Sequence, residues 1–329
     1  MTRTIPQPAA GRGTRSGTAR HRIAVAAPAR TVYGIVADVA TWPRIFPPTV
    51  HAERVDGDGR TERIRLWATA GDTVKTWTSR RELDDEAMTA AFRQEIPQSP
   101  VAAMSGTWTV TPTGDTSCEV VLDHAFTADG DAPEALAWIE QAVDRNSTAE
   151  LEALRSTAEA PGALDELLLT FEDAVSVDGP LADVYDFVWQ AHAWPQRLPH
   201  VSRVDLGTPG PDLQVLEMDT KAKDGSRHTT KSIRVGFAPG RIVYKQLRVP
   251  AMLTAHTGEW VLTEAGDSVR AVSRHTIVVR RDAIADVLGP DATVDDALAY
   301  ARAALGTNSL ITLRHAKEYA EHHRPSATG

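Results

Sequence analysis

Trp77, Ser79 and Arg81 alternate along the chain, so in an extended strand their side chains share one face. Thr230, Ser232 and Arg234 repeat the pattern further on, with Thr in place of Trp. A guanidinium does not give up its proton in practice, so Arg81 and Arg234 are not general bases. Their natural chemistry is to hold negative charge that develops on oxygen, and a neighbouring hydroxyl can relay or hold a proton. Two placements are open for this strand. Facing outward, Arg81 pairs at the surface; facing inward, a cation buried among aromatics must meet an anion, an enolate or several carbonyl oxygens.

Two amides stand out in the same way. Asn146 falls three residues after Val143, on the apolar stripe of a long helical segment, and Asn308 falls three after Leu305 in a second such segment. A buried amide needs partners, so each Asn bonds local backbone or faces a ligand. Trp42, Phe46, Trp77 and Trp108 add large apolar groups that suit either a solid core or a pocket for a flat, extended molecule. His51, His124, His192, His200, His228, His256, His275 and His315 show no metal-ligand spacing, and there is no Gly-rich phosphate loop or Gly-x-Ser-x-Gly. The sequence therefore calls for no metal and no nucleotide cofactor.

The elements that position these residues occur twice. Tyr33 and Tyr185, Trp42 and Trp194, Pro43 and Pro195, and Pro47 and Pro199 are each 152 residues apart, as are Gly106-Thr107-Trp108 and Gly258-Glu259-Trp260. Near each copy's end the offset becomes 162, pairing Ala135-Leu136-Ala137-Trp138 with Ala297-Leu298-Ala299-Tyr300 and Asn146-Ser147 with Asn308-Ser309. The second copy thus carries ten extra residues (162 − 152) before its last helix. One register held over so many uncommon residues marks a tandem duplication.

Each copy runs in the same order. A short strand (Arg22 to Ala26; Phe171 to Val177) leads to a helix that opens near Pro28 or Pro180 and breaks at a Trp-Pro pair. Period-2 segments such as Arg63-Ile64-Arg65-Leu66-Trp67 and Cys118-Glu119-Val120-Val121-Leu122 follow and read as half-buried antiparallel strands. A long helix closes each copy, Pro133 to Glu159 and Thr293 to Glu321, the first with the stripe Leu136, Ile139, Val143, Leu151, Leu154. The expected fold class is α+β, two tandem domains, each a curved antiparallel sheet wrapped around its long C-terminal helix with an interior cavity. The expected bounds are a disordered tail over 1–20, a first domain over 21–160 and a second over 168–324.

Composition narrows the partners. The 329 residues are 42% hydrophobic, enough for two ordinary cores. With 44 acidic against 35 basic residues the net charge is −9, which argues against nucleic-acid binding. A single cysteine, Cys118, excludes an internal disulfide and suits the cytoplasm. No apolar run reaches the roughly 20 residues of a membrane span, so no membrane partner is expected.

Taken together, the Ala-Pro to Val-Tyr helix, the Trp42-Pro43 to Phe46 break, the Trp77-Thr78-Ser79-Arg80-Arg81 strand, Trp108 and the late Arg145-Asn146-Ser147 resemble the aromatase/cyclases of bacterial type II polyketide synthases. Those proteins have the helix-grip fold of START-like proteins, and the resemblance covers both copies, implying a di-domain aromatase/cyclase without a cofactor. It implies a poly-β-ketone substrate tethered to an acyl carrier protein, and polyketide synthase components as partners. It assigns catalysis to Arg81 and Ser79, and to Arg234 and Ser232 in the second copy. Substrate would be held by Trp42, Phe46, Trp77, Trp108 and Asn146, and by Trp194, Trp260 and Asn308. Thr49 departs from the pattern where some single-domain members carry tyrosine, and Leu198 stands where the first copy has Phe46. A START-like carrier of lipid or another hydrophobic molecule is the alternative reading.

Overall fold

The computed structural model describes residues 15–160, 163–221 and 227–322. They fall into two compact units divided near residue 161. The first unit runs β1 (Ser16–Val25), α1 (Ala29–Ala37), α2 (Trp42–Ile45), β2 (Thr49–Gly57), β3 (Thr61–Ala70), β4 (Thr73–Asp84), β5 (Thr89–Ile96), β6 (Val101–Gly114), β7 (Ser117–Ala128) and α3 (Pro133–Glu159). Its seven strands form one sheet in the order β1-β7-β6-β5-β4-β3-β2, each neighbouring pair antiparallel. Consecutive strands need only hairpins, while α1 and α2 span the long step from β1 at one edge to β2 at the other.

Alternation explains the sheet. In β1, Gly17, Ala19, His21, Ile23 and Val25 point inward and the residues between them are exposed. The stripe of α3 that meets the sheet comprises Ile139, Ala142, Val143, Ser147, Leu151, Leu154 and Ala158. Leu154 is fully buried, and burying a leucine of this kind contributes about 2 kcal/mol. The core gathers around α1, α2 and the second half of α3.

The second unit repeats this with additions. It contains α4 (Ala163–Leu167), β8 (Leu168–Val177), α5 (Leu181–Trp189), α6 (Trp194–Arg197), β9 (Val201–Gly210), β10 (Leu213–Lys221), β11 (Arg227–Phe237), β12 (Arg241–Arg248), β13 (Leu253–Ala265), β14 (Ser268–Val279), α7 (Ile284–Leu288) and α8 (Val294–His322). The sheet order is β8-β14-β13-β12-β11-β10-β9, the same topology. The extra residues before the last helix form a 3-10 turn and α7.

Two boundaries differ from those expected. Strand β1 starts at Ser16 rather than Arg22, so 16–20 belong to the sheet and not to a tail. Its inward residues there are small because Phe126 packs against them; a Cβ on Gly17 would lie 2.6 Å from that ring. Its outward face is polar, with Arg20 bonded twice to Asp123 (2.6 and 3.0 Å). The second domain begins before 168, because α4 belongs to it and Glu166 pairs with Arg281 at 2.7 Å. The expected tail over 1–14 and the last two positions of the expected second domain, 323 and 324, lie outside the described residues.

Candidate active site

Each domain has a hollow between its sheet and its closing helix, and the two differ threefold in size. The first measures about 140 Å³ and the second about 410 Å³. The reason is local. Trp77 fills space in the first that Thr230 leaves open in the second. On the helix side the linings largely match, Ala142, Val143, Asn146 and Ser147 against Ala304, Leu305, Asn308 and Ser309, and Glu150 of the first hollow stands where the second has Thr312. Val287 of α7 also borders the larger one.

Both strand arginines point inward. Arg81 and Arg234 are each 2% exposed, and burial pushes both down to about 10, which leaves them charged near neutrality. Each reaches the C-terminal end of the domain's first helix and caps carbonyls that the helix itself leaves unbonded. Arg81 Nη2 donates to Val36 O (2.9 Å) and Ala37 O (3.4 Å). Arg234 Nη2 donates to Val188 O (2.6 Å), and Nη1 to Trp189 O (3.4 Å). Each also stacks at 5.0 Å on the ring of its domain's Trp-Pro break, Trp42 or Trp194.

The two arginines part company in their remaining partner. Across the β3–β4 pairing Arg81 faces Glu62, whose carboxylate lies 3.1 Å from Nη1 and also accepts from Arg54 at 2.5 Å. Across β10–β11 Arg234 faces Gln214, whose amide oxygen accepts from Nη1 at 2.7 Å. The first cation is therefore neutralised by a fully buried carboxylate, and the second is not. Among the described residues no carboxylate pairs with Arg234. Arg234 borders its cavity and Arg81 does not.

The other expected site residues sort in the same direction. In the second domain Ser232, Trp194, Trp260 and Asn308 all border the cavity with Arg234. In the first, Trp42, Trp77 and Asn146 do so, while Ser79, Phe46 and Trp108 do not. Phe46 stacks on Trp108 (6.0 Å) and meets Trp42 edge-on (5.4 Å), an aromatic core rather than a lining. Asn146 donates to Thr69 O at 2.9 Å, so it ties the helix to β3 as well as edging the hollow. The Trp42 and Trp194 indoles donate to Ile35 O and Phe187 O, which anchors each break to the preceding helix. Arg81 is thus held by the carboxylate and Phe46 and Trp108 by the aromatic stack, while Ser79 is buried without bordering the first hollow.

Sequence reasoning missed a polar cluster on the second cavity's wall. Tyr244, His256 and His275 come from three adjacent strands and border the cavity together. The Tyr244 hydroxyl lies 2.9 Å from His275 Nδ1 and 3.3 Å from His256 Nε2, the two imidazoles are 3.0 Å apart, and Ser273 Oγ is 3.0 Å from His275 Nε2. Burial pushes His275 down to about 4 and His256 well below its usual range, and pushes the Tyr244 phenol up. All three are neutral at pH 7. The period-2 pattern marks the face each occupies, but only the sheet order makes them neighbours. Tyr244 lies across Gly258, where a Cβ would come within 2.4 Å of its hydroxyl.

Known proteins share this architecture. Residues 16–159 match the family model described as polyketide cyclase / dehydrase and lipid transport. The granaticin polyketide synthase bifunctional cyclase/dehydratase of Streptomyces violaceoruber is 46% identical over 92% of this chain and 93% of its own. The actinorhodin polyketide synthase bifunctional cyclase/dehydratase of Streptomyces coelicolor (strain ATCC BAA-471 / A3(2) / M145) is 44% identical over 90% of this chain and 94% of its own. The chain belongs to the family of bifunctional polyketide cyclase/dehydratases. Two solved structures agree with that family. The di-domain ARO/CYC BexL, from the BE-7585A biosynthetic pathway, superposes with a TM-score of 0.82 at 52% identity, covering 94% of this chain and all of BexL. The di-domain ARO/CYC StfQ, from the steffimycin pathway, gives 0.81 at 34% identity, covering 92% of this chain and 98% of its own. As a cyclase/dehydratase the protein is an enzyme with two helix-grip, START-like domains. Among its described residues no helix is long and apolar enough to cross a membrane.

Proposed function

We propose that this cyclase/dehydratase closes the first ring of a poly-β-ketone by aldol addition, and dehydrates it to an aromatic ring, inside the second domain. The observation that carries the reading is Arg234: a buried cation without a carboxylate partner among the described residues, bordering a cavity of about 410 Å³. That volume lies within the roughly 300–1,000 Å³ typical of small-molecule sites, and the first domain's hollow falls below it. Family membership supports a substrate delivered as a thioester on an acyl carrier protein, with polyketide synthase components as partners in the cytoplasm.

The chemistry needs no redox cofactor, because aldol closure and loss of water leave the oxidation level unchanged. Trp194, Leu216, Met218 and Trp260 supply an apolar wall against which one folding of the chain is favoured over others. A methylene between two ketones is already acidic, so what the site must supply is stabilisation of negative oxygen. Three of the five N–H groups of Arg234 serve Gln214, Val188 and Trp189. The rest face developing charge in a water-poor space, where such a donor is worth roughly a hundredfold or more in rate. Ser232 holds the carbonyl or the hydroxyl that leaves. Asn308, whose side chain makes no hydrogen bond among the described residues, holds a further carbonyl. In the first domain the same fold has a hollow of only about 140 Å³ and a neutralised arginine, so Arg81 and Ser79 act there as structural residues.

The test is reconstitution of the full chain with a minimal polyketide synthase. Wild-type protein diverts spontaneous shunt products to a ring-closed aromatic product, and Arg234→Met, folded by circular dichroism, returns the shunt pattern. Identical products from wild type and Arg234→Met overturn the assignment. Shunt products unchanged by the wild-type protein leave the hydrophobic-carrier reading in place.

A further inference from the structure

The two domains share one backbone, so each is a control for the other. On the three strands that carry Tyr244, His256 and His275, the first domain places Phe92, Met104 and His124. The register makes this equivalence explicit, since Phe92, Gly106 and His124 lie side by side across β5, β6 and β7 as Tyr244, Gly258 and His275 do across β12, β13 and β14. In the first domain His124 simply meets Phe92 edge-on at 5.5 Å. The fold is therefore satisfied with an aromatic ring and a thioether at positions where the second domain has a phenol and an imidazole. Burying polar groups in place of apolar ones is unfavourable unless they do something apolar groups cannot.

One atom of the cluster remains open. His256 Nδ1 is buried and has no hydrogen-bond partner among the described residues, although every other nitrogen of the two imidazoles has one. One proton arrangement of the cluster leaves that atom bare. If His275 Nε2–H donates to Ser273, His275 Nδ1 is bare and accepts Nε2–H of His256 at 3.0 Å. A neutral His256 then carries a bare lone pair on Nδ1. The Tyr244 hydroxyl, 3.3 Å from His256 Nε2 and 2.9 Å from His275 Nδ1, keeps its proton and competes for that one acceptor.

We propose that His256 and Tyr244 are the catalytic pair for loss of water from the ring-closed carbinol. His256 Nδ1 takes the proton from the ring carbon as the carbon–hydroxyl bond breaks and the double bond forms. Tyr244 passes its proton to the departing hydroxyl, which leaves as water, and is reprotonated from His256 Nε2. His256 ends as its other neutral tautomer, and exchange with solvent after product release restores the first. No group in the cluster has to become charged, which suits the neutral forms that burial enforces. His275 and Ser273 do not touch the reacting atoms; they are positioning residues that set the tautomer of His256, with Phe171 stacked on His275 at 4.8 Å to hold its plane.

This inference rests on the second cavity being the reaction chamber, and the test separates the two. Tyr244→Phe and His256→Met each install the residue that the first domain already accommodates. In the full chain with a minimal polyketide synthase, both variants should still close the ring but accumulate the carbinol, one water heavier than the aromatic product. Aromatic product should fall roughly a hundredfold, the usual contribution of a positioned acid or base. Wild-type levels of aromatic product from both variants overturn the pair. Arg234→Met run alongside loses ring closure if the chamber is correctly placed; if it does not, the chamber itself is wrong. Ser273→Ala, which reaches substrate only through His275, should lower kcat with KM unchanged, and an unchanged kcat overturns its positioning role.

Discussion

Replacing Gln214 with Glu would give the second domain the side chain its sister domain carries at Glu62, and the structure says what that single charge should do. Gln214 Oε1 lies 2.7 Å from Arg234 Nη1. An oxyanion bonded to the other side of the guanidinium sits roughly 6 Å from that oxygen, where two unit charges at an effective dielectric of about 20 repel by about 3 kcal/mol. Carried into the transition state, this is roughly a hundredfold in rate. The first domain is built around the same pair and Arg234 gains a counter-ion, while the exchange removes the Gln214 Nε2–H bond to Trp189 O at 3.0 Å. Gln214→Glu should therefore fold, but form aromatic product about a hundred times more slowly than wild type. The assay is product formation per mole of protein in the reconstituted synthase, beside a melting curve on the same preparation. Product formation at the wild-type rate would refute the claim that an uncompensated cation drives the reaction.

Three further outcomes follow from geometry already described. Glu62→Gln leaves Arg81 buried with carbonyl partners only, and breaking such a pair costs about 3 kcal/mol, so the first domain's denaturation midpoint should fall while ring closure below that midpoint persists. Gly258→Ala places a Cβ 2.4 Å from the Tyr244 hydroxyl and 2.5 Å from Arg274 O, so it should cost about 1–3 kcal/mol by denaturant titration and accumulate undehydrated product. His124 and His275 are both depressed to about 4 by burial from an ordinary 6.5, the former facing His21 and Asp123, the latter facing Asp173, Arg302, Tyr244, His256 and Ser273. Below pH 6.5 the unfolded chain takes up protons that these folded imidazoles refuse, so stability falls as the pH falls towards 4. At pH 5 each should cost about 2 kcal/mol, and equal unfolding free energies at pH 7 and pH 5 would contradict it.

The duplication, the Trp-Pro breaks and the closing helices were legible because they depend on local rules: rare residues in register, a missing N–H, a 3.6-residue stripe. Strand face was legible too, which is why Arg81 and Arg234 were both expected to be able to turn inward. What a face does not reveal is the residue across the ladder. Glu62 and Gln214 lie 19 and 20 residues before the arginines they meet, and only the hairpin register joins them. The same limit hid Tyr244, His256 and His275, which are unremarked singly and become a cluster only when β12, β13 and β14 are laid side by side. Phe46 and Trp108 show the opposite failing. An aromatic that lines a pocket and one that packs a core have the same composition, and here the two stack on each other. The first six residues or so of β1 escaped notice because glycine and alanine carry too little hydrocarbon to register as an inward face.

The counterweight to Arg234 is mostly peptide carbonyl at the end of α5, with one primary amide. Such dipoles neither gain nor lose protons over any pH at which the chain stays folded, and they do not wander as an ionised side chain does. The positive potential presented to a bound ketone is in this sense part of the backbone, set when the strand and the short helix meet and carried unaltered through every turnover.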